Sequence, residues 1–206
     1  MKVISFALGQ LQANCYFLIE DNKCLIIDPA DEAAFILEEL QRRRLKLVGM
    51  LATHGHFDHI MAVGEIQLSV KVPLYVVKKD LFLLNRLNET AKYFLGYNPN
   101  LINPTLIKHL IKVKNKIGLF EFNLIYTPGH TPGSCCYYFP DEKIIFTGDT
   151  LFKRGIGRYD FSYSDKRDLK KSLEALLKLP GDTLVYPGHG EKTKISDEKR
   201  TSTLIY

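Results

Sequence analysis

The amino-acid sequence predicts an α/β fold in which two halves, each a set of strands followed by a helix, pack sheet against sheet with their helices outside. Three observations carry this. Short runs rich in Val, Ile, Phe and Leu, bounded by Gly, Pro, Asn or Asp, recur along the chain and read as strands. Strands followed by a helical stretch occur twice. At 206 residues, with 46% hydrophobic and 25% charged residues, the chain can bury one full core. Residues 1–206 therefore read as a single domain.

Residues 2–8, 13–20 and 23–28 read as strands, with Asp21-Asn22 turning the hairpin between the last two. Asp28-Pro29 stops the third strand, and Asp31 is placed to cap a helix that runs to about Arg44. Glu38 and Glu39 precede Arg42 and Arg43 by four residues, so ion pairs can support that helix. The run Arg42-Arg43-Arg44 then reads as a solvated face rather than a nucleic-acid patch. Residues 47–52 are a short buried strand. Ile60, Met61, Val63, Ile66 and Val70 recur at helical spacing, which starts a helix at or just after His59. Residues 73–77 are another strand. Residues 80–117 differ in character, with a stripe of Leu81, Leu84, Leu87, Ala91, Phe94 and Leu95, the breakers Gly96, Pro99 and Pro104, and a second short helical piece over 106–111. This excursion either overhangs a site or packs plainly on the main fold. Strands return at 119–127, 134–139 and 143–148, a helix at about 165–178 and a strand at 183–186. The tail from Ser196 begins another helix.

The chemistry concentrates in Thr53-His54-Gly55-His56-Phe57-Asp58-His59, which lies beyond the carboxyl end of a strand, where ligand sites of α/β sheets form. Residues two apart on an extended or turning backbone point the same way, so His54 and His56 can grip one metal ion. Asp58 lies further on and His59 is turned by the helix start, so that pair can serve a second ion. Three of the six histidines fall in this one turn. Three later residues repeat a single design: a strand, a turn with Gly or Pro, then a ligand-type side chain. They are His130 in Pro128-Gly129-His130, Asp149 in Gly148-Asp149 and His189 in Pro187-Gly188-His189-Gly190. His109, among Leu and Lys of the excursion, reads as a structural or surface histidine. Imidazole suits zinc and iron, and carboxylate suits harder ions. Two divalent metal ions are expected, zinc foremost, with iron or manganese as alternatives.

The net charge of +5 is mild and dispersed, compatible with an anionic small molecule but too weak for a nucleic-acid interface. No run reaches membrane-spanning length, and residues 1–8 lack the features of a signal peptide. A cytoplasmic location is expected, with no membrane partner and with Cys15, Cys24, Cys135 and Cys136 as free thiols. Cys135 and Cys136, being adjacent, should face opposite sides of a strand. Nothing in the sequence selects an oligomeric state.

In this order, His54-x-His56-x-Asp58-His59, His130 in its Pro-Gly-His turn, Gly148-Asp149 and Pro187-Gly188-His189-Gly190 resemble the motifs of the metallo-β-lactamase superfamily, from the first strands to His189. The resemblance implies a four-layer αββα sandwich with a two-metal site at one edge. It implies His54, His56 and His130 on one ion, Asp58, His59 and His189 on the other, and Asp149 between them, with open positions left on both. Two such ions supply Lewis acidity and a water activated near neutral pH. Asp58 would also be the catalytic carboxylate that accepts and aims the hydrogen of that water. Esters, lactams, phosphodiesters and thioesters all suit such a site.

Three features narrow the branch. Gly148-Asp149-Thr150-Leu151-Phe152, followed by Gly155-Ile156-Gly157-Arg158, resembles the glyoxalase II (hydroxyacylglutathione hydrolase) and persulfide dioxygenase branch. The Pro187–Gly190 turn, with the tail Glu198-Lys199-Arg200-Thr201, resembles the short, bacterial-type glyoxalase II proteins. The chain ends soon after His189, where full-length glyoxalase II carries a helical domain that helps bind glutathione. The resemblance thus implies a thioester hydrolase acting on S-lactoylglutathione or a related acyl-thiol, a reaction whose thiolate leaves without a proton. Arg158 stands where the family has a basic residue that touches the thiol substrate, unless it merely stiffens a Gly-rich loop. Asp160 stands where the long enzymes have an aromatic contact residue. Tyr97 and Tyr93 either line the substrate pocket or pack in the core. The alternative in the same branch is a persulfide dioxygenase using one iron on His54, His130 and Asp149. An RNA phosphodiesterase would share the ligands, but no basic RNA-binding arm is evident. A β-lactamase would call for export, and many of them have cysteine where Asp149 stands. A structural zinc domain would be a closed, commonly cysteine-rich cage.

Overall fold

Along β2 (Ala13–Glu20) and β3 (Lys23–Ile27), alternate residues enter two different cores, and this builds the layers. Cys15, Phe17, Cys24 and Ile26 pack with Ile36, Leu40 and Ile66 of the outer helices, whereas Tyr16, Leu18, Leu25 and Ile27 pack against Phe120, Phe122, Tyr137 and Phe146 of a second sheet. Cys136, Ile145 and Val185 turn away from that middle core onto Leu169, Leu173 and Leu176 of a further helix. The result, a computed structural model that describes residues 1–200, is an αββα sandwich.

The first sheet adds β1 (Lys2–Leu8), β4 (Lys46–Leu51), β5 (Leu74–Val76) and β6 (Ile107–His109), in the order β1-β2-β3-β4-β5-β6. Its first three strands are antiparallel and the rest parallel. The second sheet holds β7 (Lys114–Ile117), β8 (Phe120–Tyr126), β9 (Cys135–Phe139) and β10 (Ile144–Gly148). A small hairpin of β11 (Leu151–Phe152) and β12 (Gly155–Ile156) follows. Then β13 (Leu184–Pro187) and β14 (Thr193–Lys194) complete the order β14-β13-β10-β9-β8-β7. The helices are α1 (Ala33–Arg42), α2 (Val63–Ser69), α3 (Leu81–Asn85), α4 (Leu87–Leu95), α5 (Lys166–Leu176) and α6 (Ile195–Arg200). Among the described residues no helix is long and apolar enough to cross a membrane.

Cys135 and Cys136 do face different cores, and all four cysteines are buried and unpaired. Several boundaries depart from the sequence reading for physical reasons. α1 ends at Arg42, two residues early, and Arg44 has a left-handed φ of 53°. Its N-cap is Glu32 rather than Asp31. The Asp31 carboxylate accepts from Glu32 N at 2.7 Å, and Glu32 reaches back to Gly9 N. Glu39 takes both arginines, Arg42 and Arg43, and leaves Glu38 out. No α-helix starts at His59: the chain makes a 3-10 turn over Phe57–His59, and α2 begins only at Val63. The turn is drawn back toward the first sheet by Ala30, whose N donates to His59 O and whose O accepts from Ala62 N.

The expected helical piece at 106–111 is instead β6, and a further strand, β7, follows it. Ile107, Lys108 and His109 pair in parallel with Leu74, Tyr75 and Val76 of β5. The open edge of β5 offers ready partners, and Gln67 fixes the approach by accepting from Thr105 N and Leu106 N. The tail forms α6, where buried Glu198 accepts from Arg154 N and Thr193 Oγ1 and so pins the β11–β12 hairpin. Thr201 lies outside the described residues.

Candidate metal centre

The turns after β4, β8, β10 and β13 meet at one edge of the sandwich. Cross-sheet hydrogen bonds hold them there: Cys135 N donates to Thr53 O at 2.9 Å and the Tyr137 hydroxyl to Ala52 O at 2.6 Å. Two glycines let the turns close. Gly148 has φ +48°, and a Cβ there would stand 2.2 Å from Thr53 Oγ1. A Cβ on Gly188 would stand 2.2 Å from Asp149 Oδ1 and 2.7 Å from a His59 ring carbon.

All seven sequence-identified donors converge here. His54, His56 and His130 form one group, Asp58, His59 and His189 a second, and His54, His59 and Asp149 a third, with the ligand atoms of each group within 4.8 Å of one another. His56 Nδ1 lies 3.0 Å from His54 Nε2 and 2.9 Å from His130 Nε2. His189 Nε2 is 3.2 Å from Asp58 Oδ2. Asp149 reaches both sets: Oδ1 is 3.4 Å from His59 Nε2, and Oδ2 is 3.6 Å from His130 Nε2 and 3.8 Å from His189 Nε2. His109 stays away on β6, where its Nδ1 donates to Val76 O.

The donor chemistry fits metal ions. Arg158 O, which can only accept, takes the Nδ1 proton of His130 at 2.8 Å, so His130 presents an Nε2 lone pair inward. Asp28 Oδ2 stands 3.1 Å from His59 Nδ1 and also accepts the only Thr53 hydroxyl hydrogen at 2.7 Å. Thr53 Oγ1 must then accept from His54 Nδ1 at 3.1 Å, which turns that Nε2 lone pair inward as well. Outward partners of this kind fix the tautomer of metal-binding histidines. Converging lone pairs need a cation, and His59 Nε2 and Asp149 Oδ1 are both buried with no hydrogen-bond partner.

The electrostatics agree. Burial, then His59 and His56, push His54 well below the usual imidazole range, and burial with His130 pushes His56 down to about 3. Both are therefore neutral, as ligands must be. Burial raises the Asp149 carboxyl, but His59, His54 and His130 outweigh it and hold Asp149 well below the carboxylate range. Burial likewise opposes charge on His59, yet Asp58, Asp149 and Asp28 raise it well above the usual value. Three carboxylates around one imidazole draw positive charge to this spot.

Sequence reasoning missed the residues that hold these turns. Asp28, with a left-handed φ of 48°, orients His59 and Thr53, and it follows the same strand-then-carboxylate design that pointed to Asp149. Asp80, fully buried at the base of the excursion, accepts from Gly55 N at 2.8 Å, Thr131 Oγ1 at 2.7 Å and Gly133 N at 2.6 Å. It bolts the His54–His59 turn to the His130 turn. Asn14 and Tyr16 of β2 donate to Pro187 O and hold the His189 turn. The Tyr163 hydroxyl lies 2.8 Å from His56 Nε2.

Above the donors opens a cavity of about 400 Å³, walled by Leu11, Phe57, Thr90, Phe94, Phe152, Ile156, Arg158 and Phe161, with His56, Asp58, His130, Asp149 and His189 in its floor. Arg158 spans the wall, its Nε and Nη2 each 2.9 Å from an Asp160 oxygen and its guanidinium 4.5 Å from the Phe161 ring centre. Tyr97 does not line this cavity. Gly96, at φ +78°, ends α4, and Tyr97 falls beyond it, half exposed. The α4 face toward the cavity is Thr90 and Phe94, four residues apart, with Phe94 stacked on Phe57 at 5.7 Å. Tyr93 is exposed on the far side and lines a neighbouring groove. Phe94→Ala should thus raise KM about tenfold, equivalent to losing ~1.4 kcal/mol of aromatic contact, while Tyr97→Ala leaves KM within about twofold. Steady-state kinetics on both variants checks the contrast, and an equal rise in KM from Tyr97→Ala would contradict it.

Comparison with known proteins finds relatives over nearly the whole chain. The family description "Metallo-beta-lactamase superfamily" matches residues 8–189. The chain is 37% identical over 202 residues to the probable metallo-hydrolase YqgX of Bacillus subtilis, covering 97% of this chain and 95% of the relative. It is 35% identical over 208 residues to the hydroxyacylglutathione hydrolase GloC of Haemophilus influenzae, covering 100% and 98%. Among solved structures, the BLEG-1 B3 metallo-beta-lactamase superposes with a TM-score of 0.90 at 33% identity, covering 97% of each chain. TTHA1623 in a di-iron-bound form superposes with a TM-score of 0.89 at 35% identity, covering 97% and 98%.

Proposed function

We propose that this chain, which belongs to the metallo-β-lactamase superfamily, is a binuclear metallohydrolase that cleaves acyl thioesters of the glyoxalase II type, S-lactoylglutathione or a related acyl-thiol. The observation that carries the reading is the arrangement of two donor sets, joined by Asp149, in the floor of an apolar cavity. The likeness to a hydroxyacylglutathione hydrolase over the whole chain supports the substrate class. Zinc is the first choice for both ions. Iron, present in the similar TTHA1623 structure, and manganese are the others. The reading includes a cytoplasmic small-molecule enzyme with no nucleic-acid or membrane partner.

Bound at these donors, two divalent ions would polarise the thioester carbonyl and lower the pKa of water. The chain's residues do the rest. His54, His56 and His130 would hold one ion, and Asp58, His59 and His189 the other. Asp58, at the cavity floor with Oδ2 3.2 Å from His189 Nε2, would accept a hydrogen bond from the attacking water and aim its oxygen at the carbonyl carbon. The phenylalanines of the wall exclude bulk water and seat the acyl group. Arg158 supplies the cation for the thiol-bearing arm once its fork with Asp160 opens toward substrate. The wall residues, apolar but for Thr90 and Arg158, include no carboxyl, imidazole or thiol to donate a proton. A thiol of pKa ~8.5 leaves as thiolate without one, whereas an alkoxide would need a proton.

Two assays on one preparation test this: loss of thioester absorbance with S-lactoylglutathione, and oxygen uptake with glutathione persulfide. Thioester loss without oxygen uptake is expected. Oxygen uptake without thioester loss would assign the chain to persulfide oxidation at a single iron instead.

A further inference from the structure

We propose that Tyr163 is a positioning residue for the metal centre, setting which nitrogen of His56 is free to bind an ion. The inference rests on the metal reading above and concerns this chain's own side chains. Of the four buried histidines, His130 and His59 face outward partners that can only accept, a carbonyl and a carboxylate. His54 faces a hydroxyl whose one hydrogen is already given away. His56 alone faces an amphoteric partner without that commitment, the Tyr163 hydroxyl at 2.8 Å from Nε2.

A neutral imidazole carries one ring proton. If Tyr163 donated to Nε2, that proton would sit on Nδ1 and point between His54 Nε2 and His130 Nε2, 3.0 and 2.9 Å away, where the ion belongs. The productive arrangement is the reverse. His56 Nε2–H donates to the Tyr163 oxygen, the Tyr163 hydrogen turns outward, and the Nδ1 lone pair joins the other two.

The hydroxyl is held in place for this. Its ring stacks on Phe161 with centroids 5.4 Å apart at 16° and meets the edge of Phe82 at 5.4 Å. The next residues anchor the segment to the His130 turn: Ser164 Oγ donates to His130 O at 2.7 Å and Asp165 N to Gly129 O at 2.8 Å. Asp165 then caps α5 by accepting from Arg167 N and Asp168 N. The oxygen therefore stands at a fixed point relative to His130, which shares an ion with His56.

Tyr163→Phe keeps the stack and removes only the oxygen. Two readouts besides activity follow. Competition of the cobalt-loaded protein with a chelator should show one ion bound about tenfold more weakly, the size of effect usual for such outer partners, and the other unchanged. In proton spectra of the cobalt-loaded protein, the shifted, solvent-exchangeable N–H signal of His56 should exchange faster, with those of His54, His59 and His130 unaltered. Unchanged affinity and exchange in a variant that binds cobalt would overturn the inference. So would equal weakening of both ions together with a lower melting temperature of the metal-free variant, which marks a merely structural role. A wild-type chain that takes up no cobalt would instead overturn the metal reading beneath it.

Discussion

Asp149→Ala is expected to strip metal from both positions and to reduce hydrolysis by about a thousandfold or more. The reason is geometric. His56 and His130 belong to one group and His189 to another, but Asp149 turns Oδ1 toward His59 and Oδ2 toward His130 and His189. Its removal takes away one negative charge from a buried cluster of imidazoles and leaves both sets one donor short. Losing several kcal/mol of charge stabilisation, about 4 kcal/mol, gives that factor. His189→Ala, by contrast, should empty one position more than the other, since His189 groups with Asp58 and His59 alone. Elemental analysis of the two variants separates these outcomes. An Asp149→Ala protein that keeps both metals would remove Asp149 from its joint role.

The second large effect lies outside the donors. Asp80→Ala should lower the melting temperature by about 10 °C and loosen metal binding at His54, His56 and His130. Its carboxylate accepts from Gly55 N, Gly133 N and Thr131 Oγ1, all buried; of the three, Thr131 Oγ1 also has Ser134 Oγ within reach at 2.7 Å. A stranded buried donor costs roughly 1–3 kcal/mol, and three sharing one acceptor are not additive, so a loss of about 3–5 kcal/mol follows. For a chain of this size, each kcal/mol moves the melting temperature by about 2–4 °C. Thermal denaturation of the metal-free protein isolates the effect. Wild-type melting in that variant would show that the two histidine turns hold together without Asp80.

The comparison of Asp149 with Asp80 shows what was legible in the sequence. Asp149, His130 and His189 each sit one turn beyond a strand, and His54 to His59 lie within six residues, so local pattern exposes them. Asp80 joins Gly133 across 53 residues, and Asn14 reaches Pro187 across 173. No local spacing encodes such bonds, because the sheets bring them together. Asp28 was within reach, since it repeats the strand-then-carboxylate design. The layers were legible in strands followed by a helix, twice over, and in the apolar runs of β2, β3, β9 and β10, whose two faces both prove to be buried. The excursion was less so. At 106–111 an edge strand's hydrogen bonds override a faint helical period, and at Tyr97 a glycine cap decides which aromatic faces the cavity.

The account turns on two ions working on a thioester, and a titration tests it most directly. Metal-free protein receives zinc in increments while hydrolysis of S-lactoylglutathione is followed. Activity should rise to a break at two equivalents per chain, the number of donor sets that Asp149 joins. Full activity at one equivalent of iron, seen as oxygen uptake with glutathione persulfide and without thioester loss, would contradict it.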